Sequence, residues 1–213
     1  MIAIIDYGAG NLRSVANAVY KLGCQPEITS SPDVLGSAQA VILPGVGAAA
    51  DTMTSLRRLG LIEPIRHLIE GGRHFLGVCI GLQVLFTRTE EGGGHDCLGV
   101  IPGVVKKLPP GLKIPHMGWN QVKQKMSHPI FQDIPDESNF YFVHSYYVVP
   151  EDLSIIAAET EYGVSFCSVI AWGNLIATQF HPEKSGKDGL KIYDNFIKRA
   201  LSSGAGVREQ GKC

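Results

Sequence analysis

Several residue patterns are absent from this chain of 213 residues, and each absence argues against a class of protein. The five cysteines are an odd number and form no Cys-x-x-Cys pair, so a disulfide scaffold, a zinc ribbon and a thioredoxin-type redox motif are not expected. No His-Glu-x-x-His motif occurs, which argues against a catalytic metal centre. Lys and Arg total 19 against 20 Asp and Glu, so the chain lacks the basic excess typical of nucleic-acid binding.

Long hydrophobic runs are also missing, and we therefore expect no membrane association. The stretch 162–182 has no Asp, Glu, Lys or Arg, but polar residues and a Gly-Asn pair interrupt it, so it predicts two strands joined by a turn. The first six residues contain no basic residue and end in Asp6, unlike a signal peptide. Together with the cysteine pattern, these features predict a cytoplasmic protein.

The first half of the sequence alternates short apolar runs with helical patterns. Apolar runs at 2–5, 40–43 and 75–78 predict buried strands, and residues 12–22 and 49–71 show the spacing of helices. Strands that alternate with helices favour a parallel sheet that is covered on both faces. We therefore predict a flavodoxin-like α/β fold with a mostly parallel central sheet and helices on both faces.

The second half, after the three glycines at 92–94, is dominated by strand patterns. The predicted strands lie at 104–105, 121–122, 140–149, 155–158, 166–172 and 175–180. Gly173-Asn174 predicts a β-hairpin between the last two, so extra hairpins extend the sheet in the C-terminal half. A final amphipathic helix follows, with Ser185 as its candidate N-cap, as Asn11 is for the first helix. We predict a single domain over residues 1–202 and a disordered tail over 203–213.

The sharpest chemical motif is Gly77-Val78-Cys79-Ile80-Gly81, which follows an apolar strand and precedes a helical pattern. This is the arrangement of a nucleophile elbow with cysteine in place of serine. A tight strand-to-helix turn strains the central residue, and flanking glycines remove the Cβ clashes that would forbid it. The helix N-terminus favours the thiolate, and its N–H groups can bind an oxyanion. Taken alone, the motif fits a small buried cysteine equally well.

A second motif, His181-Pro182-Glu183, comes directly after the last strand pattern. In an extended backbone, residues i and i+2 point to the same side, so the imidazole and the carboxylate face together. A carboxylate in this position can hold the imidazole in one tautomer and stabilise its charged form. Alone, this motif fits a surface turn; together with the cysteine elbow it completes a nucleophile, a base and an orienting acid.

Three further features suggest dinucleotide binding, metal binding or a protein interface, and the evidence for each is weaker. Gly8-Ala9-Gly10 and residues 45–50 are similar to dinucleotide-binding loops, but Arg13 occupies the third glycine position of the first, and no acidic strand end follows the second. The His-Asp-Cys segment at 95–97 could touch a metal, although two or three ligands in a loop make a weak site. Trp119 lies in a predicted loop and could belong to the core or to a protein interface.

The cysteine elbow, followed by Leu82 and Gln83 and combined with the downstream His-Pro-Glu, resembles the triad-type glutamine amidotransferases. Within that family, further segments resemble the glutaminase subunits of imidazole glycerol phosphate synthases. These segments are Asp6-Tyr7-Gly8-Ala9-Gly10-Asn11-Leu12, Pro44-Gly45-Val46-Gly47, Pro115-His116-Met117-Gly118-Trp119-Asn120 and Tyr141-Phe142-Val143-His144-Ser145-Tyr146. The resemblance runs from about residue 2 to residue 200.

The resemblance implies a glutaminase that hydrolyses glutamine through a cysteine thioester and passes ammonia to a (β/α)8 cyclase subunit in histidine biosynthesis. By similarity, Cys79 is the nucleophile, His181 the base and Glu183 the orienting acid. The resemblance implies oxyanion donors at Ile80 and along Gly45, Val46 and Gly47, whose peptide reorients when the partner is engaged. The implied substrate-binding residues are Gln83, His144, Ser145 and Tyr146. No cofactor and no metal is implied.

Coupling to a partner is also expected on chemical grounds. Free ammonia is protonated quickly in bulk water, and ammonium is not a nucleophile, so a shielded route needs a close-fitted interface. We place Asn11, Arg13, Trp119 and Asn120 at or near the interface of a heterodimer with the cyclase.

Two alternatives remain open on the sequence alone. Glutaminase subunits of other amidotransferases, such as that of pyridoxal phosphate synthesis, share the triad. A non-enzymatic, flavodoxin-like redox-sensing module could use Cys79 as a sensor thiol, but it would have no use for His181 and Glu183.

Overall fold

The computed structural model describes residues 1–8 and 11–203. Ala9 and Gly10, which belong to one glycine-rich motif, lie outside the described residues, and so do residues 204–213. Ser203 is the last residue of the C-terminal helix. The predicted disordered tail at 203–213 therefore lies outside the described residues from position 204 onward.

Within the described residues, thirteen strands and six α-helices follow one another along the chain. The strands β1–β13 are Ile2–Ile5, Pro26–Thr29, Ala40–Leu43, His74–Val78, Phe86–Thr89, His95–Asp96, Ile101–Lys107, His116–Gln124, Ser138–His144, Tyr146–Pro150, Ile156–Glu161, Ser165–Trp172 and Leu175–Thr178. The helices α1–α6 are Leu12–Lys21, Pro32–Ser37, Ala49–Arg58, Ile62–Glu70, Ile80–Gln83 and Gly186–Ser203. Short 3-10 turns lie at Glu91–Gly93, Pro129–Phe131, Leu153–Ile155 and Pro182–Lys184. No helix of this described part has the length and apolarity needed to cross a membrane.

A block of five parallel strands forms the centre of the sheet, in the order β2-β1-β3-β4-β13. β1, β3, β4 and β13 are buried along their whole length, as strands covered on both faces must be. The chain moves from β1 outward to β2 and then back across β1 to β3, so right-handed crossovers place α1 and α2 on opposite faces. α6 packs against α1, and α4 packs against α2. The prediction of a flavodoxin-like parallel sheet with helices is confirmed.

Mostly antiparallel pairings extend this central block, although β5 and β7 run parallel. β12 pairs with β13, and the sheet continues in the order β12-β10-β7-β5-β6. β11 pairs with β12 and joins β8 and β9 to the same sheet. The hairpin predicted at Gly173-Asn174 is confirmed, because Trp172 and Leu175 are paired across that turn.

The structure corrects two sequence predictions in this half. The run at 140–149 is two strands, because β9 pairs with β8 whereas β10 pairs with β7 and β12, and the chain changes partners at Ser145. Trp119 lies in β8 and not in a loop. One side of β8 is exposed, so its small and polar residues hide the strand pattern.

Aromatic packing fixes the segment that follows β13. The ring of Phe180 stacks on that of Phe140 in β9, with centroids 4.2 Å apart, and meets Phe142 edge-on at 5.7 Å. All three rings are almost fully buried. Residues that follow Phe180 are therefore held beside β9, at the carboxyl end of the central parallel strands.

Candidate active site

Cys79 occupies a strained turn between β4 and α5. Its backbone has φ 54° and ψ −105°, and residues other than glycine rarely have a positive φ. A Cβ atom at Gly77 would lie 2.7 Å from the carbonyl oxygen of Gly81, and one at Gly81 would lie 2.2 Å from that of Leu43. The turn therefore has the strain of a nucleophile elbow, and both flanking glycines are required by close backbone contacts.

The segment that follows β3 crosses the N-terminus of α5. A Cβ atom at Gly45 would lie 2.6 Å from the backbone nitrogen of Gly81 and 2.7 Å from that of Ile80. Glycine at position 45 lets this segment approach the elbow, while Val46 and Gly47 line the cleft next to Cys79. The backbone groups predicted to bind an oxyanion are thus brought together.

His181 reaches Cys79 because their strands are neighbours. β4 and β13 run parallel, with Val78 paired to Thr178, so the residues that follow both strands emerge at the same edge of the sheet. Both side chains line the same cleft, and Cys79 is near enough to raise the pKa of His181. On its other side, Nδ1 of His181 lies 2.8 Å from Oε1 of Glu183.

The protonation of His181 is set by its two neighbours. Burial lowers the pKa of His181 because it penalises the charged ring, but the hydrogen bonds and charges of Cys79 and Glu183 outweigh burial and raise this pKa to about 9. At neutral pH the imidazole therefore carries both protons and can protonate a leaving nitrogen.

The carboxylate of Glu183 has two further donors that sequence reasoning missed. Nδ2 of Asn11 donates to Oε1, and the hydroxyl of Tyr193 donates to Oε2 at 3.3 Å. Asn11 does precede α1 as an N-cap should, but it has φ 75° and makes no capping hydrogen bond with its side chain. Burial, followed by the nearby Glu183 charge, raises the pKa of Tyr193, so this hydroxyl stays a donor.

Ser185 also serves the site rather than its helix. It precedes α6, where an N-cap would lie, but its Oγ donates to the His181 carbonyl at 2.7 Å and accepts from the Tyr141 N–H at 2.9 Å. The hydroxyl therefore joins the His181 backbone to β9. The predicted capping role is replaced by one in holding the His-Pro-Glu segment.

A cleft of about 380 Å³ opens beside Cys79 and His181. The predicted residues that line it are Val46, Gly47, Ile80, Gln83, His144, Ser145 and Tyr146. Four lining residues were not predicted from the sequence: Glu91, Pro115, Val143 and Lys184. Oε2 of Glu91 accepts a hydrogen bond from the backbone nitrogen of Ala49, at 2.6 Å. The cleft thus contains one fixed carboxylate and one ammonium group.

Two histidines next to the cleft are held in the neutral form. Burial lowers the pKa of His116 to about 4 and that of His144 to about 3. Nδ1 of His116 lies 2.9 Å from Nε2 of His144. The His116 ring also stacks on Tyr162, with centroids 3.9 Å apart. His116 therefore packs beside His144, a substrate-binding candidate.

Of the predicted interface residues, Trp119 and Asn120 lie in β8, and Asn11 and Arg13 lie at the start of α1. Trp119 is 57% exposed and meets the ring of Tyr141 edge-on at 6.2 Å, and the Lys184 ammonium lies 6.0 Å from the centre of that ring. Asn120 donates to the carbonyl of Glu161 at 2.9 Å. Arg13 is exposed on α1. Their contact with a partner stays a prediction.

The His-Asp-Cys segment at 95–97 offers little support for a metal. Its first two residues form the short strand β6. Over residues 1–8 and 11–203, no group of three or more His, Cys, Asp or Glu side chains could hold a metal ion.

Comparisons with known proteins agree with this geometry. The family model "Glutamine amidotransferase class-I" matches residues 3–200. The chain is 60% identical over 201 residues to the imidazole glycerol phosphate synthase subunit HisH of Dehalococcoides mccartyi, a match that covers 94% of this chain and 98% of that protein. Proteins of the same name from Chloroflexus aurantiacus and Herpetosiphon aurantiacus are 52% and 47% identical, over 93% and 99% of this chain and 95% and 100% of theirs.

Solved structures share the fold. A crystal structure of a glutamine amidotransferase has a TM-score of 0.71 at 19% identity, covering 94% of this chain and 100% of that one. The structure of PurLQS from Thermotoga maritima has a TM-score of 0.75 at 19% identity, covering 93% and 97%. At this level of identity the likeness concerns the fold alone.

Proposed function

This chain belongs to the class-I glutamine amidotransferase family, and from that premise we propose that it is the glutaminase subunit of an imidazole glycerol phosphate synthase. Cys79, His181 and Glu183 release ammonia from glutamine, and a (β/α)8 cyclase subunit uses it in histidine biosynthesis. One observation supports these roles: the three residues lie together at the carboxyl ends of β4 and β13, beside a cleft that polar side chains line.

Acylation begins with attack of the Cys79 sulfur on the side-chain amide carbon of glutamine. A carbon–sulfur bond forms, the carbon–nitrogen bond breaks, and His181 gives its proton to the nitrogen, which leaves as ammonia. Glu183 accepts the Nδ1–H of His181 throughout and keeps Nε2 directed at the reacting atoms.

Deacylation reverses the proton transfer. A water molecule gives a proton to His181, its oxygen bonds to the thioester carbon, and the sulfur leaves as the thiolate. Glutamate departs, and His181 and Cys79 return to their starting charge state.

The negative charge on the tetrahedral oxygen needs backbone donors. The Ile80 N–H lies at the N-terminus of α5, where it has no partner within the helix. The second donor comes from the segment that contains Val46. Because Gly45 and Gly47 flank Val46, its peptide can rotate at low cost when the partner binds.

The cleft suits a zwitterionic amino acid. Glu91, fixed by the Ala49 N–H, lies where it can pair with the α-ammonium group. Gln83, Ser145 and Tyr146 supply polar contacts around the substrate, and His144 packs behind them in its neutral form.

The cysteines are consistent with the reducing cytoplasm that we propose as the location. Cys79, Cys97 and Cys167 are free thiols, and each is buried. A thiol nucleophile needs such surroundings to stay reduced.

The test is co-purification with a candidate cyclase, followed by measurement of glutamate released from glutamine with and without the nucleotide ligand of the cyclase. We expect a stable complex and strong, ligand-stimulated glutamate release. Peroxide-reversible behaviour without glutamate release would favour the redox-sensor alternative, and stimulation by the partner of another pathway would favour a different amidotransferase.

A further inference from the structure

Two glutamine side chains form a buried chain of hydrogen bonds that ends at the Cys79 sulfur. Nε2 of Gln83 donates to the Tyr146 carbonyl at 2.9 Å and to Oε1 of Gln179 at 3.0 Å. Nε2 of Gln179 in turn lies 3.7 Å from Sγ of Cys79. Gln179 is completely buried and Gln83 is 2% exposed. Gln179 lies between β13 and His181, yet nothing in the triad mechanism uses it.

One backbone carbonyl fixes the orientation of both amides. The Tyr146 carbonyl can only accept, so the end of Gln83 that faces it must be the NH₂ group. That NH₂ group also faces Gln179, which must therefore present its oxygen. The opposite end of the Gln179 amide is then an NH₂ group, and this end faces the sulfur. A flipped Gln179 would place two NH₂ groups against each other.

The same carbonyl also fixes the neighbouring histidines. It accepts from Nδ1 of His144 at 2.8 Å, so Nε2 of His144 is an acceptor and receives the Nδ1–H of His116. Both lone pairs of the Tyr146 oxygen are thus used by side chains, Gln83 and His144. A flipped Gln83 would place its amide oxygen against this carbonyl oxygen, so the donor at Cys79 is a fixed feature of the site.

We infer that Gln179 is a positioning residue for the nucleophile: its amide N–H, held in one orientation by Gln83 and the Tyr146 carbonyl, directs the sulfur of Cys79 and stabilises its negative charge. The inference rests on the proposed function in that Cys79 is the nucleophile. A donor to an anion is worth more than one to a neutral group, so it favours the charged sulfur over the thiol. Val143 provides the contrast, because its carbonyl can only accept from a neutral thiol, at 3.9 Å.

The decisive variant is Gln179→Glu, which preserves the shape of the side chain and an acceptor for Gln83 but replaces the donor at the sulfur with a carboxylate oxygen. Gln179→Met removes the donor without adding charge. Thr178→Val is the matched control, because Thr178 is equally buried and its hydroxyl donates to the Phe180 carbonyl, at 3.0 Å. If Gln179→Met does not fold, Gln179→Glu alone is sufficient for the test.

The readout is the rate of alkylation of Cys79 by iodoacetamide between pH 5 and 9, followed on the peptide that contains Cys79 and measured without glutamine. We expect both Gln179 variants to be alkylated at least about tenfold more slowly than the wild type at neutral pH, with the pH profile of the rate displaced to higher pH. In turnover with glutamine, kcat should fall by a similar factor while KM stays near the wild-type value. Thr178→Val should react like the wild type.

Alkylation profiles of the Gln179 variants that overlay the wild-type profile would overturn the inference, whatever happens to kcat. So would a change in KM alone, which would indicate a role in substrate binding. Failure of the proposed function would give a different result from failure of this inference. The wild-type protein with its partner would then release no glutamate, although the alkylation rates of the variants could still be compared.

Discussion

The carboxylate of Glu183 lies 2.8 Å from Nδ1 of His181, and the two side chains are 0% and 1% exposed. An ion pair removed from water to this degree must have its remaining polar atoms satisfied, and Asn11 and Tyr193 provide the donors for Glu183. The acid–base pair of this site is therefore held from three elements: the start of α1, the turn after β13 and α6.

Glu183→Gln should reduce glutaminase turnover about 10- to 100-fold, because it removes the negative charge that stabilises the imidazolium of His181. The pKa of His181 should fall from about 9 toward its ordinary value of 6.5. NMR titration of the imidazole, together with kcat, measures both effects. Full activity with an unshifted His181 titration would contradict the assigned role.

Gly45→Ala should lower stability by about 1–3 kcal/mol and reduce activity, because the added methyl group meets the backbone of Ile80 and Gly81. Gly36→Ala is the control: Gly36 lies in α2 with no atom near its Cβ position, and this change should raise stability by about 0.5–1 kcal/mol. Chemical denaturation compares the two. Equal stability of both variants would show that the contact at the elbow is not close.

Trp119→Ala should weaken binding to the cyclase about tenfold or more, or abolish its stimulation of glutaminase turnover, with little change in the melting temperature. Trp119 is 57% exposed, so little of the core depends on it. Trp172→Ala is the control. Trp172 is 49% exposed, and it lies beside the first residue of β13, whereas Cys79 follows the last residue of the neighbouring β4. Unchanged assembly and unchanged stimulated turnover in Trp119→Ala would remove Trp119 from the interface.

Acid should destabilise the fold through the two neutral histidines. Above pH 6.5, His116 is uncharged in both the folded and the unfolded chain. Between pH 6.5 and about 4, only the unfolded chain gains a proton at this residue. The free energy of unfolding therefore falls as the pH is lowered through this range. His144 acts in the same direction down to about 3. His181 acts oppositely, and its contribution is lost as the pH rises from 6.5 to about 9.

His116→Phe isolates the first of these effects, since it keeps a ring for stacking on Tyr162 but removes the titrating group. The variant should be less stable than the wild type at pH 7, because His144 loses a donor, and the difference should shrink at pH 5. Denaturation at the two pH values provides the measurement. A difference that stays constant or grows in acid would show that His116 is already protonated in the folded chain.

The parts of the site that could be predicted from the sequence are those with local signatures. Cys79 and its flanking glycines form a five-residue motif that predicts a strained turn. His181 and Glu183 are two residues apart, which predicts that they point to the same side. The prediction of a parallel sheet then explains why both motifs reach one edge. The family resemblance indicated the subfamily and the strand that we propose binds the substrate.

The remaining features depend on contacts between distant segments. Asn11 and Glu183 are separated by 172 positions and Gln83 and Gln179 by 96, and no periodicity encodes such pairs. Glu91 follows β5, a short strand with exposed polar residues that gives no apolar run. The break at Ser145 leaves no signal in the sequence, because two strands with different partners share one uninterrupted β pattern.

Glutamine should acylate Cys79 in each turnover, and rapid quenching of the working enzyme in acid tests this step most directly. The protein, in complex with the cyclase and its nucleotide ligand, is mixed with glutamine, stopped in acid and digested for mass spectrometry. We predict a glutamyl group on the peptide containing Cys79, released by hydroxylamine, and no glutamate formation by Cys79→Ser. Glutamate release that persists in Cys79→Ser, or that occurs with an unmodified Cys79 in rapidly quenched samples, would contradict the account.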